Sequence, residues 1–143
     1  MRVVAYNIKE FEKQTLAKAN AKVHDLTLIS NPLNLATVRY AEGKEVVIVS
    51  ANDNLDKALL EALKKIGVKK IITRSVSLDH INLLHAGYLG LHVANTPAED
   101  DSPKSIAVQT INNLNNWVNN QCLGVACHCV FDCSKKQDSH SLD

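Results

Sequence analysis

The sequence predicts a single α/β domain in which helices cover both faces of a five-stranded parallel sheet. The length of 143 residues suits one domain and is too short for two ordinary ones. Five short apolar runs lack the strict alternation of apolar and polar residues that a half-exposed sheet shows, so buried strands are expected. Amphipathic segments separate these runs, and helical crossovers of this kind join parallel strands. The expected architecture therefore has three layers.

The strands are predicted from apolar, β-branched runs taken in chain order. The first run, RVVAY, is followed by DLTLI and then by EVVIV, which is apolar at every position after its glutamate. KKIIT and LHVAN complete the set, and Thr96-Pro97 closes the last run. The predicted strands cover residues 2–6, 25–29, 45–49, 69–73 and 91–95.

The helices are predicted from apolar residues that recur every three or four positions. Segment 55–66 is the clearest, because its apolar residues fall on one stripe and Gly67 follows as a helix stop. Ser102 as N-cap and Pro103 at the first helical position mark the start of the last helix. The predicted helices cover residues 9–21, 34–41, 55–66, 79–88 and 102–120.

Each helix is expected to turn its apolar stripe toward the sheet. The spacing predicts that Phe11 and Leu16 face inward in the first helix, Leu84 and Tyr88 in the fourth and Val118 in the last. Right-handed crossovers between parallel strands leave few topologies. The flavodoxin-like strand order 2-1-3-4-5 suits five strands with five helices.

Charge and composition exclude several classes of partner. The 16 Lys and Arg residues nearly balance the 15 Asp and Glu residues, and a net charge of +1 favours neither nucleic acid nor an anionic membrane. Aromatic residues make up 4%, too few for a base-stacking surface. No apolar run reaches the ~20 residues that span a bilayer. Charged residues interrupt the N-terminal segment, so no secretory signal is expected and the predicted compartment is the cytoplasm.

A short polar turn, Arg74-Ser75-Val76-Ser77, is the predicted ligand site. Open α/β sheets bind ligands where loops leave the carboxyl ends of strands, and this turn follows the fourth predicted strand directly. Several of its backbone N–H groups can point at one anion, and a small carboxylate fits such a site. In the alternative interpretation, Arg74 pairs with an acidic residue on the surface, and Ser77 or Asp79 merely caps the next helix.

None of the six histidines is predicted to be a catalyst. His80 lies beside the turn and could hydrogen-bond a ligand. His24 and His92 lie in or beside strands and are interpreted as structural.

Residues 68–83, VKKIITRSVSLDHINL, and residues 86–98, AGYLGLHVANTPA, resemble the NAD-dependent D-2-hydroxyacid dehydrogenase family, in particular its D-lactate dehydrogenase branch. That family interconverts 2-hydroxy and 2-oxo acids. The resemblance implies that backbone N–H groups of Val76 and Ser77 hold the substrate carboxylate, with Ser75 adjacent. Ser77 stands where the family has glycine. Glu99 stands where the family has a tyrosine that reaches the substrate, and a carboxylate there would repel an anion.

The family has two domains, and its substrate domain is discontinuous in sequence. Here residues 1–98 lead almost directly into 105–117, SIAVQTINNLNNW, which resembles the family's returning C-terminal helix. The predicted organisation is thus a substrate domain over 1–120, with the returning helix at 102–120 and the nucleotide-binding domain missing. The competing alignment matches 102–107, SPKSIA, to the helix that leads into the nucleotide-binding domain.

The resemblance also implies what these residues lack. The family's catalytic Arg, Glu and His and its dinucleotide fingerprint all belong to the missing segment, and the sequence contains no G-x-G-x-x-G. The chain alone is therefore expected to bind no NAD and to be incompetent for hydride transfer. Two rival functions stay open: a small-carboxylate sensor or regulatory subunit, and an interaction module that forms a homodimer or pairs with a full-length homologue.

The tail, residues 121–143, carries all four cysteines within twelve residues: Cys122, Cys127, Cys129 and Cys133. In a reducing compartment such a cluster indicates a metal or redox site more than a disulfide framework. Zinc or another thiophilic metal is one prediction, although the C-x₄-C-x-C-x₃-C spacing matches no standard zinc or iron–sulfur motif. Reversible thiol chemistry and a tail without any ligand remain the alternatives.

Overall fold

The computed structural model describes residues 1–121 and 123–130 and confirms the α/β architecture. All strand pairs are parallel, and the order β2-β1-β3-β4-β5 is the one predicted. Each strand is one or two residues shorter than its apolar run. The strands are β1 (Arg2–Ala5), β2 (Asp25–Leu28), β3 (Val46–Val49), β4 (Lys70–Thr73) and β5 (His92–Ala94).

Within the described residues, four α-helices and two short 3₁₀ turns connect and follow the strands. The helices are α1 (Glu10–Asn20), α2 (Lys57–Lys65), α3 (Leu83–Tyr88) and α4 (Pro103–Val118), and the 3₁₀ turns are Val38–Ala41 and Gly124–Ala126. Ser102 caps α4 as predicted, since its side chain accepts the Ser105 N–H. None of the helices among the described residues is long and apolar enough to cross a membrane.

The sheet separates two apolar cores, which confirms the three layers. On one side Val47 and Val49 pack with α2 and α3. On the other side Val46 and Ile48 pack with α1 and α4. All four residues of β3 are fully buried, as its uninterrupted apolar sequence predicts.

The predicted helix over 34–41 is wrong, because only Val38–Ala41 forms a 3₁₀ turn. The Asn34 side chain accepts the N–H groups of Ala36 and Thr37, and this local bonding competes with a helix. The Thr37 hydroxyl also donates to the Pro32 carbonyl at 2.6 Å. The segment therefore becomes a compact loop before β3.

The predicted start of the fourth helix is also wrong, because α3 begins at Leu83 rather than residue 79. Leu55 N–H donates to the His80 carbonyl and Asn82 N–H donates to the Leu55 carbonyl, which holds this stretch in an extended bridge. Asn82 then caps α3. Because the same two bonds hold Leu55 in this bridge, Leu55 is not part of α2, which begins at Lys57 rather than at residue 55 as predicted.

Four residues predicted to face inward are exposed instead: Phe11 (64%), Leu84 (53%), Tyr88 (69%) and Val118 (49%). The late start of α3 buries Ala86 in place of its larger neighbours. In the first turn of α1, Glu12 rather than Phe11 lies toward the domain interior, where it forms a salt bridge with Arg74.

The segment after α4 lies antiparallel along the outer side of β5. Asn95 N–H donates to the Ala126 carbonyl at 3.1 Å, and His128 N–H donates to the Val93 carbonyl at 2.9 Å. A bridge joins Ala94 to Cys127 between these bonds. The first part of the tail thus belongs to the folded domain.

We expect Leu63→Ala in α2 to lower the free energy of unfolding by about 2–5 kcal/mol, because Leu63 is fully buried and the substitution leaves a cavity. Leu84→Ala in α3 is the matched control, and its cost is expected to stay below about 0.5 kcal/mol at this exposed position. Urea denaturation of both variants measures the difference. Equal losses would contradict the orientation described for α3.

Candidate carboxylate-binding site

The site is built around the segment Ser75–Leu78, termed here the β4 turn. It follows β4 at the carboxyl edge of the sheet, beside the loop that leaves β5. Arg74, the residue between strand and turn, donates its N–H to the Val49 carbonyl at the end of β3. The turn therefore starts from a position fixed by two adjacent strands.

Three successive carbonyl groups of the β4 turn accept hydrogen bonds from within the domain. The Ser75 carbonyl accepts Thr96 N–H at 3.1 Å, and the Val76 carbonyl accepts Asn95 Nδ2 at 2.9 Å. The Ser77 carbonyl accepts the Ser75 hydroxyl at 2.9 Å. Among the described residues, the four backbone N–H groups from Ser75 to Leu78 have no acceptor. The turn thus presents consecutive donors, an arrangement that binds anions.

An amide relay from α4 supports the turn. Gln109 Nε2 donates to Asn113 Oδ1 at 3.0 Å, and Asn113 Nδ2 donates to the Asn95 carbonyl at 2.9 Å. Asn95 in turn holds Val76 through its own side chain. Asn95 and Asn113 are buried. The relay residues were not among the predicted site residues; the sequence signal for them is a polar residue, Asn113, on the buried face of α4.

A chain of hydroxyl groups joins the turn to His80. Because the single Ser75 hydroxyl proton goes to Ser77, Thr73 Oγ1 must donate the 2.7 Å bond to Ser75 Oγ. The 2.9 Å bond between Thr73 Oγ1 and His80 Nε2 is then donated by the imidazole. Burial lowers the pKa of His80 below its usual 6.5, against opposing effects of Asp53 and Asp79. His80 is thus a neutral donor within this chain of bonds.

The Arg74 side chain bonds to the end of β1 and to α1, and Arg74 also lines the cavity in front of the turn. Its guanidinium is buried and donates to the Tyr6 carbonyl at 3.0 Å and the Asn7 carbonyl at 3.1 Å. Nε donates to Glu12 Oε2 at 2.8 Å. The alternative interpretation is confirmed as far as Arg74 pairs with an acidic residue, but Glu12 is half-buried rather than on the surface. Helix capping by Ser77 or Asp79 is wrong, because Asn82 caps α3.

A cavity of about 420 Å³ opens in front of the β4 turn, with Ala98 and Ile106 forming part of its wall. Asp100 and Asp101 also line it. Hydrogen bonds from Ser102 lower the pKa of Asp100, so its negative charge persists into acidic solution. The cavity in front of the turn is thus lined by two acidic residues as well as by Arg74.

Glu99 lines a neighbouring cavity of about 460 Å³ together with Lys104. The resemblance aligns this residue with a tyrosine that contacts the substrate in the family. The two cavities share Ala98 and Asp100. The acidic residues that line the cavity at the β4 turn are therefore the two that follow Glu99.

The described residues include only two of the four cysteines of the predicted metal centre. Cys122 and Cys133 lie outside the described residues, whereas Cys127 and Cys129 are half-buried thiols. Within 1–121 and 123–130, no three His, Cys, Asp or Glu side chains are placed to share a metal ion. A zinc site built from these cysteines, as Cys₄ or as three cysteines with a histidine, stays a prediction.

Comparison with known sequences connects this geometry to one family. The sequence model for the catalytic domain of D-isomer-specific 2-hydroxyacid dehydrogenases matches residues 3–126. A 2-hydroxyacid dehydrogenase homolog of Haemophilus influenzae is 36% identical over 112 residues, which is 78% of this chain and 33% of that protein. A D-lactate dehydrogenase of Streptococcus agalactiae is 35% identical over 113 residues, again 78% and 33%. The chain spans about a third of the length of these curated relatives.

Solved structures give the same result. The apo-structure of D-lactate dehydrogenase from Escherichia coli superposes with a TM-score of 0.67 at 34% identity, over 70% of this chain and 32% of that one. Salmonella D-lactate dehydrogenase also gives 0.67 at 34% identity, over 70% and 31%.

We expect Arg74→Met to lower the free energy of unfolding by about 2–4 kcal/mol, since it leaves Glu12 and two backbone carbonyls without their buried donor. Arg39→Met is the matched control, because Arg39 lies on the surface against the Tyr40 ring, and its cost is expected to stay below about 0.5 kcal/mol. Urea denaturation checks both values. If the two variants lose the same stability, the structural role given to Arg74 is wrong.

Stability is expected to fall as the pH drops from about 8 to about 5.5. The folded-state pKa of His80 is lowered from 6.5, so the unfolded chain takes up the proton first and is favoured below that pH. His80→Gln keeps a donor for Thr73 but does not titrate, and its stability should depend less on pH. His92, whose pKa burial also lowers, accounts for part of the remaining slope. Free energies of unfolding measured at both pH values test this prediction. If the pH dependence of the free energy of unfolding is the same in His80→Gln as in the parent chain, the prediction is wrong.

Proposed function

Because this chain belongs to the D-isomer-specific 2-hydroxyacid dehydrogenase family through its catalytic domain, we propose that it binds the carboxylate of a small 2-hydroxy or 2-oxo acid at the β4 turn. The observation that carries the proposal is the run of backbone N–H groups over Ser75–Leu78 without acceptors in the described chain. Such N–H groups supply partial positive charge at fixed positions, so binding an anion requires little reorganisation.

Each residue of the predicted site has a separate role in this proposal. Val76 and Ser77 donate their N–H groups to the carboxylate. Ser75 shapes the turn through its hydroxyl, which donates to the Ser77 carbonyl. Arg74 is a positioning residue, since its guanidinium holds the end of β1 against the base of the turn.

The serine that replaces the family's glycine is compatible with the site. Ser77 is not among the residues with a positive φ, so its backbone conformation is open to any L-amino acid. The substitution therefore leaves the N–H run intact. Asp100 and Asp101 weaken the attraction for anions, and we expect small acids to bind weakly.

The residues present do not fit the NAD that the family uses. A dinucleotide cradle needs glycines in a turn at the carboxyl end of a strand. Here Gly43, Gly67 and Gly90 have positive φ in turns that precede β3, β4 and β5, at the opposite edge of the sheet. We therefore propose that this unit takes part in hydride transfer only together with a separate nucleotide-binding domain, from a longer chain or a partner such as a full-length homologue.

The proposed organisation keeps residues 1–98 and the helix at 102–120 as one substrate domain. Support comes from α4, which buries Ala107, Ile111 and Leu114 in the core that it shares with α1. A helix that left for another domain would not need this apolar face. We propose that the compartment is the cytoplasm.

Titration of the labelled 143-residue protein with pyruvate, followed by amide NMR, tests the proposal. The amide resonances of Val76, Ser77 and Leu78 are expected to shift saturably because their N–H groups bind the carboxylate. Acetone, which keeps the ketone and lacks the carboxylate, should leave them unmoved. No saturable shift with pyruvate, or equal shifts with acetone, would overturn the proposal.

Asn95→Ala is expected to weaken pyruvate binding about tenfold, which corresponds to the loss of one hydrogen bond that orients Val76. Asn119→Ala is the matched control, because this exposed residue bonds only within the end of α4. In an assay with NADH and pyruvate, neither the parent chain nor the variants should turn over. Robust turnover would refute the requirement for a second domain.

A further inference from the structure

The cavity in front of the β4 turn brings two kinds of ligand-binding group together. One part of its wall is the turn itself, where the N–H groups of Val76 and Ser77 have no acceptor in the described part of the chain. Another part is Asp100 and Asp101, which lie on the loop between β5 and α4. A ligand in this cavity of about 420 Å³ therefore meets hydrogen-bond donors and carboxylates within the same small space.

Hydrogen bonds hold the acidic loop beside the turn. Thr96 N–H donates to the Ser75 carbonyl at 3.1 Å, and Ala98 N–H donates back to the Thr96 carbonyl at 2.8 Å. Asp100 Oδ1 then accepts the Ser102 N–H at 2.8 Å, which fixes the end of the loop at the start of α4. The donors and the carboxylates thus belong to two segments that are bonded to each other.

The charge along the cavity wall is negative. Arg74 also lines the cavity, but its Nε donates to Glu12 Oε2 at 2.8 Å, so these two charges offset each other. Asp100 and Asp101 are exposed, and neither forms a salt bridge within the described residues. A monocarboxylate brings a further negative charge to this wall and is repelled by it.

The adjoining cavity leaves this balance unchanged. Glu99 and Lys104 both line it, and their charges are opposite. The two cavities share Asp100, so an acidic residue lies at the boundary between them.

We propose that a small zwitterionic amino acid binds at the β4 turn more tightly than the 2-hydroxy and 2-oxo acids do. Its carboxylate accepts the N–H groups of Val76 and Ser77, and its ammonium group pairs with the carboxylates of Asp100 and Asp101. A ligand without net charge avoids the repulsion that a monocarboxylate meets, and its positive end gains an attraction. The inference rests on the proposed carboxylate site and deepens it by naming a second group that the ligand carries.

Apolar surface in the same cavity suits a short side chain. Ala98 and Ile106 form part of the wall, and Ile106 is half-buried at the first turns of α4. Alanine, with a single methyl group, is therefore the probe.

Three small molecules separate the contributions of the two charged groups. Alanine carries both groups, propionate lacks the ammonium and ethylamine lacks the carboxylate. Each is titrated at neutral pH into the labelled 143-residue protein, and the amide resonances of Val76 and Ser77 are followed by NMR. Alanine is expected to bind with a Kd about tenfold lower than that of propionate or pyruvate. Ethylamine should cause no saturable shift of these amides, because it lacks the group that they bind.

The double variant Asp100→Asn/Asp101→Asn tests the acidic residues. Asparagine at position 100 keeps an oxygen that can accept the Ser102 N–H, so the loop retains its bond. The Kd of alanine should rise about tenfold and that of pyruvate should fall about threefold. Glu42→Gln/Glu61→Gln is the matched control, since it removes two negative charges at exposed positions that do not line the cavity. Both Kd values should stay within about twofold of the parent chain in this control.

The possible results distinguish this inference from the proposed function. If pyruvate shifts the turn amides and alanine binds no more tightly, the inference is wrong and the proposed function stands. If neither ligand shifts them saturably, both are wrong. Saturable shifts with alanine alone support the inference and show that the proposed acid is not the ligand.

A preference for alanine that persists in Asp100→Asn/Asp101→Asn would also overturn the inference, because the ammonium would then bind elsewhere. If the double variant does not fold, Asp101→Asn alone replaces it. Its preference for alanine over pyruvate should decrease about threefold, and an unchanged preference would contradict the assigned role of the acidic loop.

Discussion

One buried cation fixes the geometry on which the candidate site depends. Arg74 joins the ends of three strands, because its N–H donates to the end of β3 while its side chain reaches from β4 to the end of β1. Glu12 neutralises the charge and brings the start of α1 to the same place. A guanidinium suits this task because its planar array of donors can serve a carboxylate and two carbonyls together. The β4 turn then begins from a rigid base.

The turn becomes an anion site because its carbonyls are engaged elsewhere. A peptide group has one donor and one acceptor at opposite ends, so fixing the carbonyl of Val76 on Asn95 aims the adjoining N–H in the other direction. The amide relay from Gln109 and Asn113 connects α4 to Asn95 and so helps to hold the carbonyl of Val76 in place. The last helix thus contributes both apolar packing and the orientation of the donors.

The sequence was sufficient for the strand order and for most of the core, because buried parallel strands have uninterrupted apolar runs and α2 has a single clear stripe. It was insufficient where side chains bond to nearby backbone. Asn34 turned a predicted helix into a loop, and the Leu55–His80 bridge delayed α3. For the site, the turn at Ser75–Ser77 was found from its position and its resemblance, whereas the direction of Arg74 was not. That direction depends on Glu12, 62 residues away in the chain, and no local pattern reveals such a pairing.

The antiparallel pairing of residues 126–128 with β5 has a consequence for the edge of the sheet. A strand at the margin of a sheet exposes unpaired N–H and C=O groups that can recruit another chain, and proteins protect such margins. Here a later segment of the same chain covers this margin. Ala126 and His128 occupy the hydrogen-bonding positions beside Val93 and Asn95. This segment therefore covers the hydrogen-bonding edge of β5, and another strand could pair there only after the segment has separated from it.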